Sequence, residues 1–72
     1  MERFDRGAFG ARLAAARRAV VPRMTQDEAA RVIGKNGDAL SKYERGEVIP
    51  TVDTVAALAM VYGVTVDSLV NR

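Results

Sequence analysis

The sequence predicts an all-α domain of five short helices with no strands. Two observations carry this. Polar residues suited to capping recur just ahead of apolar runs with helical spacing, at Asp5, Thr25, Asn36, Thr51 and Thr65. Glycines then close three of those runs, at Gly34, Gly46 and Gly63, where a helix can end on a positive φ.

Asp5 caps the first helix, with Phe4 and Phe9 placed as a hydrophobic staple. Phe9, Leu13 and Ala16 follow at helical spacing, and Pro22 prevents the helix from running on. Thr25 with Glu28 forms a capping box for a second helix over 26–33. Ala29, Ala30, Val32 and Ile33 make its apolar face. Asn36 caps a third helix over 37–45, which buries Leu40 and Tyr43. Gly37, Asp38, Ser41, Lys42 and Arg45 fall on the opposite side, within about 140° of arc. After Gly46 and Pro50, Thr51 caps a fourth helix over 52–62, and Thr65 caps a last one over 66–70.

The fourth helix is apolar nearly all round. Val52, Val55, Ala56, Leu58, Ala59 and Tyr62 make a core face, Ala57, Met60 and Val61 lie on the other side, and only Asp53 and Thr54 are polar. Such a helix is normally buried, and a small domain has little material to cover both sides. The expected use is a subunit interface through Ala57, Met60 and Val61, joined by Val66 and Val70.

Seventy-two residues make one domain, 1–72, with a small core. No linker or repeat interrupts it, and the sequence ends just after the fifth helix, so no sensing domain is expected. With no Cys, disulfides and thiolate metal sites are excluded, and with no His the commonest general base and metal ligand is missing. The carboxylates show no spacing that pairs them, and the only plausible nucleophiles are surface Ser and Thr at caps, so neither catalysis nor a cofactor is expected. No apolar run approaches the ~20 residues of a membrane span, and no secretory segment opens the chain. A cytoplasmic protein is expected. The net charge is only +2, but it is unevenly spread: residues 1–45 hold ten Lys and Arg against six Asp and Glu, and residues 46–72 hold one against three. The basic half contains the second and third helices. A short helix with one apolar stripe and a polar, partly basic outer face suits a DNA major groove.

The segment from Thr25 to Gly46 resembles the helix-turn-helix of the phage repressor and Cro-type (XRE-like) family, and so implies a compact five-helix, lambda-repressor-like domain. Leu13-x-x-x-Arg17, Thr25-Gln26-x-Glu28-x-Ala30, Leu40-Ser41-x-Tyr43-Glu44-x-Gly46, Pro50-Thr51 and Gly63-Val64-Thr65 carry the resemblance from about Phe9 to Leu69. Three features depart from the family pattern. The link from Arg17 to Gln26 is about two residues longer than in the shortest members, Lys35 fills a turn position that is usually apolar, and Gly37 stands where a long polar side chain usually reads a base.

The resemblance implies a phosphate contact for Gln26 and an ion pair between Arg17 and Glu44 that orients the third helix. The residue chemistry adds the rest. Lys42 can donate to guanine or reach a phosphate, and Asp38 can accept from cytosine N4 or simply favour the helix dipole. Ser41 can bond any base edge. Asn36 and Gly37 at the start of the third helix are counted with the DNA-binding residues, and Gly37 either lets the backbone approach DNA or tolerates the helix start. Lys35, Arg45 and Arg23 suit phosphates, and Arg3 and Arg6 suit an N-terminal arm. The leading expectation is a sequence-specific DNA-binding transcriptional regulator, bacterial or phage, acting as a homodimeric repressor or autoregulator on a two-fold operator. The alternative is an antitoxin-like interaction module whose main partner is a protein, such as a toxin or inhibitor.

Overall fold

Local side-chain bonds open each helix. In the computed structural model, which describes residues 4–70, these are α1 (Arg6–Arg18), α2 (Gln26–Val32), α3 (Gly37–Glu44), α4 (Val52–Tyr62) and α5 (Val66–Val70). Asp5 accepts from the Ala8 amide at 3.0 Å and Asn36 from Ala39 at 2.8 Å. Thr51 accepts from Thr54 at 3.3 Å and Thr65 from Ser68 at 3.0 Å. At α2 the capping box is complete: Thr25 Oγ1 accepts from the Glu28 amide and Glu28 Oε1 accepts from the Thr25 amide. Phe4 and Phe9 stack with ring centroids 5.4 Å apart, closing the staple over the start of α1. Helices α2 and α3 each end one residue before the predicted limit, because Ile33 and Arg45 are their caps.

The α2–α3 turn is tight because Gly34 sits at φ 73°, a region that disfavours side chains. That turn lets the Lys35 amide reach back to the Ala30 carbonyl at 2.8 Å and the Gly34 amide to Arg31 at 3.2 Å. These are the paired bonds of a Schellman motif. They set α3 across α2 and against α1.

Phe9, Leu13, Leu40, Leu58 and Leu69 are fully buried at the centre. Each such side chain contributes about 1.5–3 kcal/mol of transfer energy. Helix α2 supplies only Ala29 and Ala30 to the core, small enough for close packing. Helix α1 meets the end of α3 at Gly10, where any Cβ would strike the Glu44 and Tyr43 carbonyl oxygens. Helix α5 is tied back to α1 by Arg12, which donates to the Leu69 carbonyl at 3.3 Å.

Two expected core residues are outside. Val32 is 63% exposed because Ala29, Ala30 and Ile33 turn toward the core and Val32 lies more than a quarter-turn away. Val52 is 82% exposed although its spacing matches Val55 and Ala59. Helical side chains lean toward the N-terminus, so Val52, first in its helix, points past the edge of the core. The outer side of α4 also divides. Met60 is 84% exposed, whereas Val61 packs partly against the core and Ala57 is half-buried. Val66 is exposed at 40% and Val70 is half-buried against the core.

Candidate nucleic-acid interface

Arg17, on α1, is buried and grips the Glu44 carboxylate on α3 with two bonds, Nε to Oε2 at 2.7 Å and Nη2 to Oε1 at 3.0 Å. Its third donor, Nη1, reaches the Met24 carbonyl at 3.1 Å. The Glu44 bond, set against the cost of burial, holds the Arg17 pKa above its ordinary value. Gln26, first residue of α2, joins the same carboxylate by donating Nε2 to Glu44 Oε1 at 2.9 Å. Three helices therefore meet at one side chain. An open pocket lined by Arg17, Arg23, Met24, Thr25, Gln26 and Asp27 lies beside this junction. Arg23 and Gln26 thus share one depression at the start of α2.

The outward side of α3 carries Asp38, Ser41, Lys42 and Arg45, none of them fully buried. Its cations have intramolecular partners. Lys42 Nζ lies 3.4 Å from Asp38 Oδ2 one turn earlier. Arg45 Nε bonds Glu47 Oε2 at 2.5 Å, and its Nη1 bonds Ser41 Oγ. Glu47, whose part the sequence reading missed, is held below the ordinary carboxylate range chiefly by that Arg45 bond. The signal was available: an acid two residues beyond Arg45, just past the helix-ending Gly46. Lys35 and Arg23 are exposed and have no ion pair among the described residues.

Asn36 spends its side-chain oxygen on the α3 cap. Gly37 lies against the end of the flexible, exposed Asp27 side chain. A Cβ there would overlap the Asp27 carboxylate, which would have to turn away. On the flank of α3 away from α2, Asn36, Asp38, Ala39, Lys42, Tyr43 and Val48 line a shallow cleft. Arg6 opens α1 and is exposed, while Arg3 lies outside the described residues. Gly10 also escaped the sequence reading, although a glycine inside a helical pattern is itself a sign of close backbone approach. The described residues contain no cluster of metal-ligating side chains and no helix long and apolar enough to cross a membrane.

Solved structures resemble this arrangement closely. The restriction-modification controller protein C.AhdI from Aeromonas hydrophila superposes with a TM-score of 0.81 at 25% identity, over 90% of this chain and 91% of that one. The phage P22 c2 repressor, solved with a synthetic operator, gives a TM-score of 0.79 at 25% identity, over 88% and 92% of the two chains. Hydroxypropylphosphonic acid epoxidase from S. wedmorenis gives 0.83 at 21% identity, over 97% of this chain but 36% of the enzyme, a likeness of fold alone. No curated protein sequence matches the chain. Residues 8–71 match the family model described as a helix-turn-helix domain, which is nearly the whole chain. The paired α2 and α3, their glycine turn and the Arg17–Glu44 junction are the parts of one such domain, and the chain belongs to the helix-turn-helix domain family.

Proposed function

We propose that this chain is a cytoplasmic, sequence-specific DNA-binding transcriptional regulator, and that it acts as a homodimeric repressor or autoregulator on a two-fold operator. The observation that carries this is the placement of α3. One side of it is locked to α1 and α2 through Glu44, and the other presents Asp38, Ser41, Lys42 and Arg45 outward. A helix held in that way suits a major groove, with side chains reading base edges. The pocket shared by Arg23 and Gln26 suits a phosphate of the adjoining backbone. The likeness to a controller protein and to an operator-bound repressor supports the same reading. No enzymatic reaction is proposed, since nothing in the arrangement pairs a nucleophile with a base.

One observation favours a protein partner as the second reading. Asp38 and Glu47 neutralise Lys42 and Arg45, which lowers the pull of this face on DNA. Selection of bound sequences from random duplex DNA separates the two readings. A regulator enriches one two-fold motif. An interaction module of the antitoxin kind enriches none, and copurifies with a toxin or inhibitor.

A further inference from the structure

A groove of about 430 Å³ is lined by α2 and by the link that joins it to α1. Val20, Pro22 and Met24 of the link and Val32, last residue of α2, give it mostly apolar walls. Val20 and Met24 are half-buried against the core, whereas Pro22 is exposed and Val32 is 63% exposed. Val21, within the same link, is 90% exposed. Apolar side chains gathered at a hollow in this way mark a contact site rather than scattered surface.

The charges at the groove are in excess of one sign. Arg23 and Arg31 also line it, and neither has an ion pair among the described residues. The acid on the same wall, Glu28, is turned to the α2 cap, where Oε1 accepts from the Thr25 amide at 2.8 Å. Two guanidiniums without acids beside an apolar hollow are complementary to carboxylates that flank an apolar side chain. A DNA backbone offers the charge but no such side chain, and would leave the apolar walls uncovered. A short acidic protein segment offers both. Arg23 and Met24 also line the pocket beside Gln26, the one suited to a backbone phosphate. We propose that this groove binds an acidic segment of a partner protein through one apolar anchor, and that the segment competes with DNA for Arg23. The anchor seats on Val20, Met24 and Val32, and the neighbouring carboxylates pair with Arg23 and Arg31. An Arg23 held there is withdrawn from the phosphate, and by linkage DNA weakens the segment as much as the segment weakens DNA. The competition rests on the DNA-binding reading above; the groove itself does not.

The probe is a short synthetic peptide with one leucine and one phenylalanine among aspartates and glutamates. Its control carries serine at both apolar positions. Titrated by NMR, the first peptide shifts the methyl signals of Val20, Met24 and Val32, and it displaces the selected operator duplex. The serine peptide does neither. Val32→Asp and Arg31→Gln, with the fold verified by circular dichroism, each weaken the first peptide about tenfold, and Val32→Asp leaves operator affinity unchanged. Equal binding of the two peptides, or shifts confined to Lys35 and the cations of α3, shows plain charge attraction and overturns the proposal. So does an operator duplex that itself shifts the Val32 methyls, since the groove would then be a DNA contact. A peptide that occupies the groove while the operator stays bound at full affinity overturns the competition for Arg23. A chain that selects no duplex yet binds the first peptide in the groove overturns the DNA-binding reading and upholds the docking site.

Discussion

Arg17 and Glu44 are joined by two parallel bonds across 27 residues of sequence, with side chains only 9% and 5% exposed. A buried pair of this kind contributes little net stability against an apolar substitute, but breaking it leaves one charge unpaired. Arg17→Ala is expected to destabilise the domain by about 3–5 kcal/mol, and Glu44→Ala by a similar amount. Total stability runs near roughly 0.05–0.15 kcal/mol per residue, so either variant loses a large share of it. Urea unfolding followed by circular dichroism measures the loss. A cost below about 1 kcal/mol would place the pair among ordinary surface bridges.

Gly10 and Gly7 lie in the same helix but predict opposite signs. A Cβ on Gly10 would meet the Glu44 carbonyl oxygen and sit 2.7 Å from the Tyr43 carbonyl oxygen, both backbone atoms that cannot swing aside. Gly10→Ala should cost about 1–3 kcal/mol by forcing α1 from α3. At Gly7 the nearest atom would be Asp5 Oδ1 at 3.4 Å, an ordinary contact. Gly7→Ala should instead gain about 0.5–1 kcal/mol from helix propensity. Thermal melts of the two variants beside the wild type decide both signs.

The self-neutralised face of α3 makes a prediction about salt. If only Arg23 and Lys35 neutralise phosphates, a dimer uses four cations and log K falls with log salt at a slope near about −4. Eight cations, with Lys42 and Arg45 recruited, would give about −7. Glu47→Gln removes the acid from Arg45, so it should steepen the slope by about 2 for a dimer and strengthen non-specific binding. Lys42→Ala should cost roughly 1–3 kcal/mol on the selected operator and relax one base position in each half-site. A uniform loss on all sequences would make Lys42 a phosphate contact. Filter binding across a salt series measures all of these.

What was legible in the sequence is what depends on near neighbours along the chain. Asp5, Thr25, Asn36, Thr51 and Thr65 cap helices through bonds to the third residue on, so type and spacing disclose them. Gly34 is legible for the same reason. Val32 and Val52 were misplaced because periodicity records direction around a helix but not where the rest of the fold runs out. The Gln26 bond to Glu44 spans 18 residues, and no local pattern encodes it. Arg17 and Glu44 entered only through family resemblance. The pairing of Arg45 with Glu47 is close in sequence but lies beyond the helix end, off the face that helical periodicity describes.

Tyr62 carries a pH prediction. Its ordinary pKa of 10.0 is pushed up to about 12 in the folded protein, first by burial and then by Glu44. The folded state thus holds this proton more tightly than the unfolded chain. Its stabilising effect is complete below pH 10 and is lost as pH rises from about 10 toward 12. Tyr62→Phe should lose less stability than wild type over that interval. Unfolding at pH 9, 10 and 11 compares them, and identical slopes would show that the hydroxyl ionises as readily in the folded protein as in the unfolded one.

The last prediction concerns the dimer. Successive major grooves on one DNA face lie about 34 Å apart. One copy of the domain measures 37 Å along its longest axis and 21 and 18 Å across, and it carries one α3. Two copies are therefore needed to fill two grooves. Away from α3 in sequence, Met60 on α4 is 84% exposed and Val66, first residue of α5, is 40% exposed. Ala57, Val61 and Val70 are partly covered and offer a smaller area. We expect a two-fold contact in which the two Met60 side chains approach each other. Met60→Glu sets two acids near the axis and should split the dimer without disturbing the core, because the side chain makes no part of it. Sedimentation of the variant, beside its operator affinity, tests this. A variant that stays dimeric places the interface elsewhere. A folded monomer that keeps full operator affinity shows that dimerisation does not drive DNA binding.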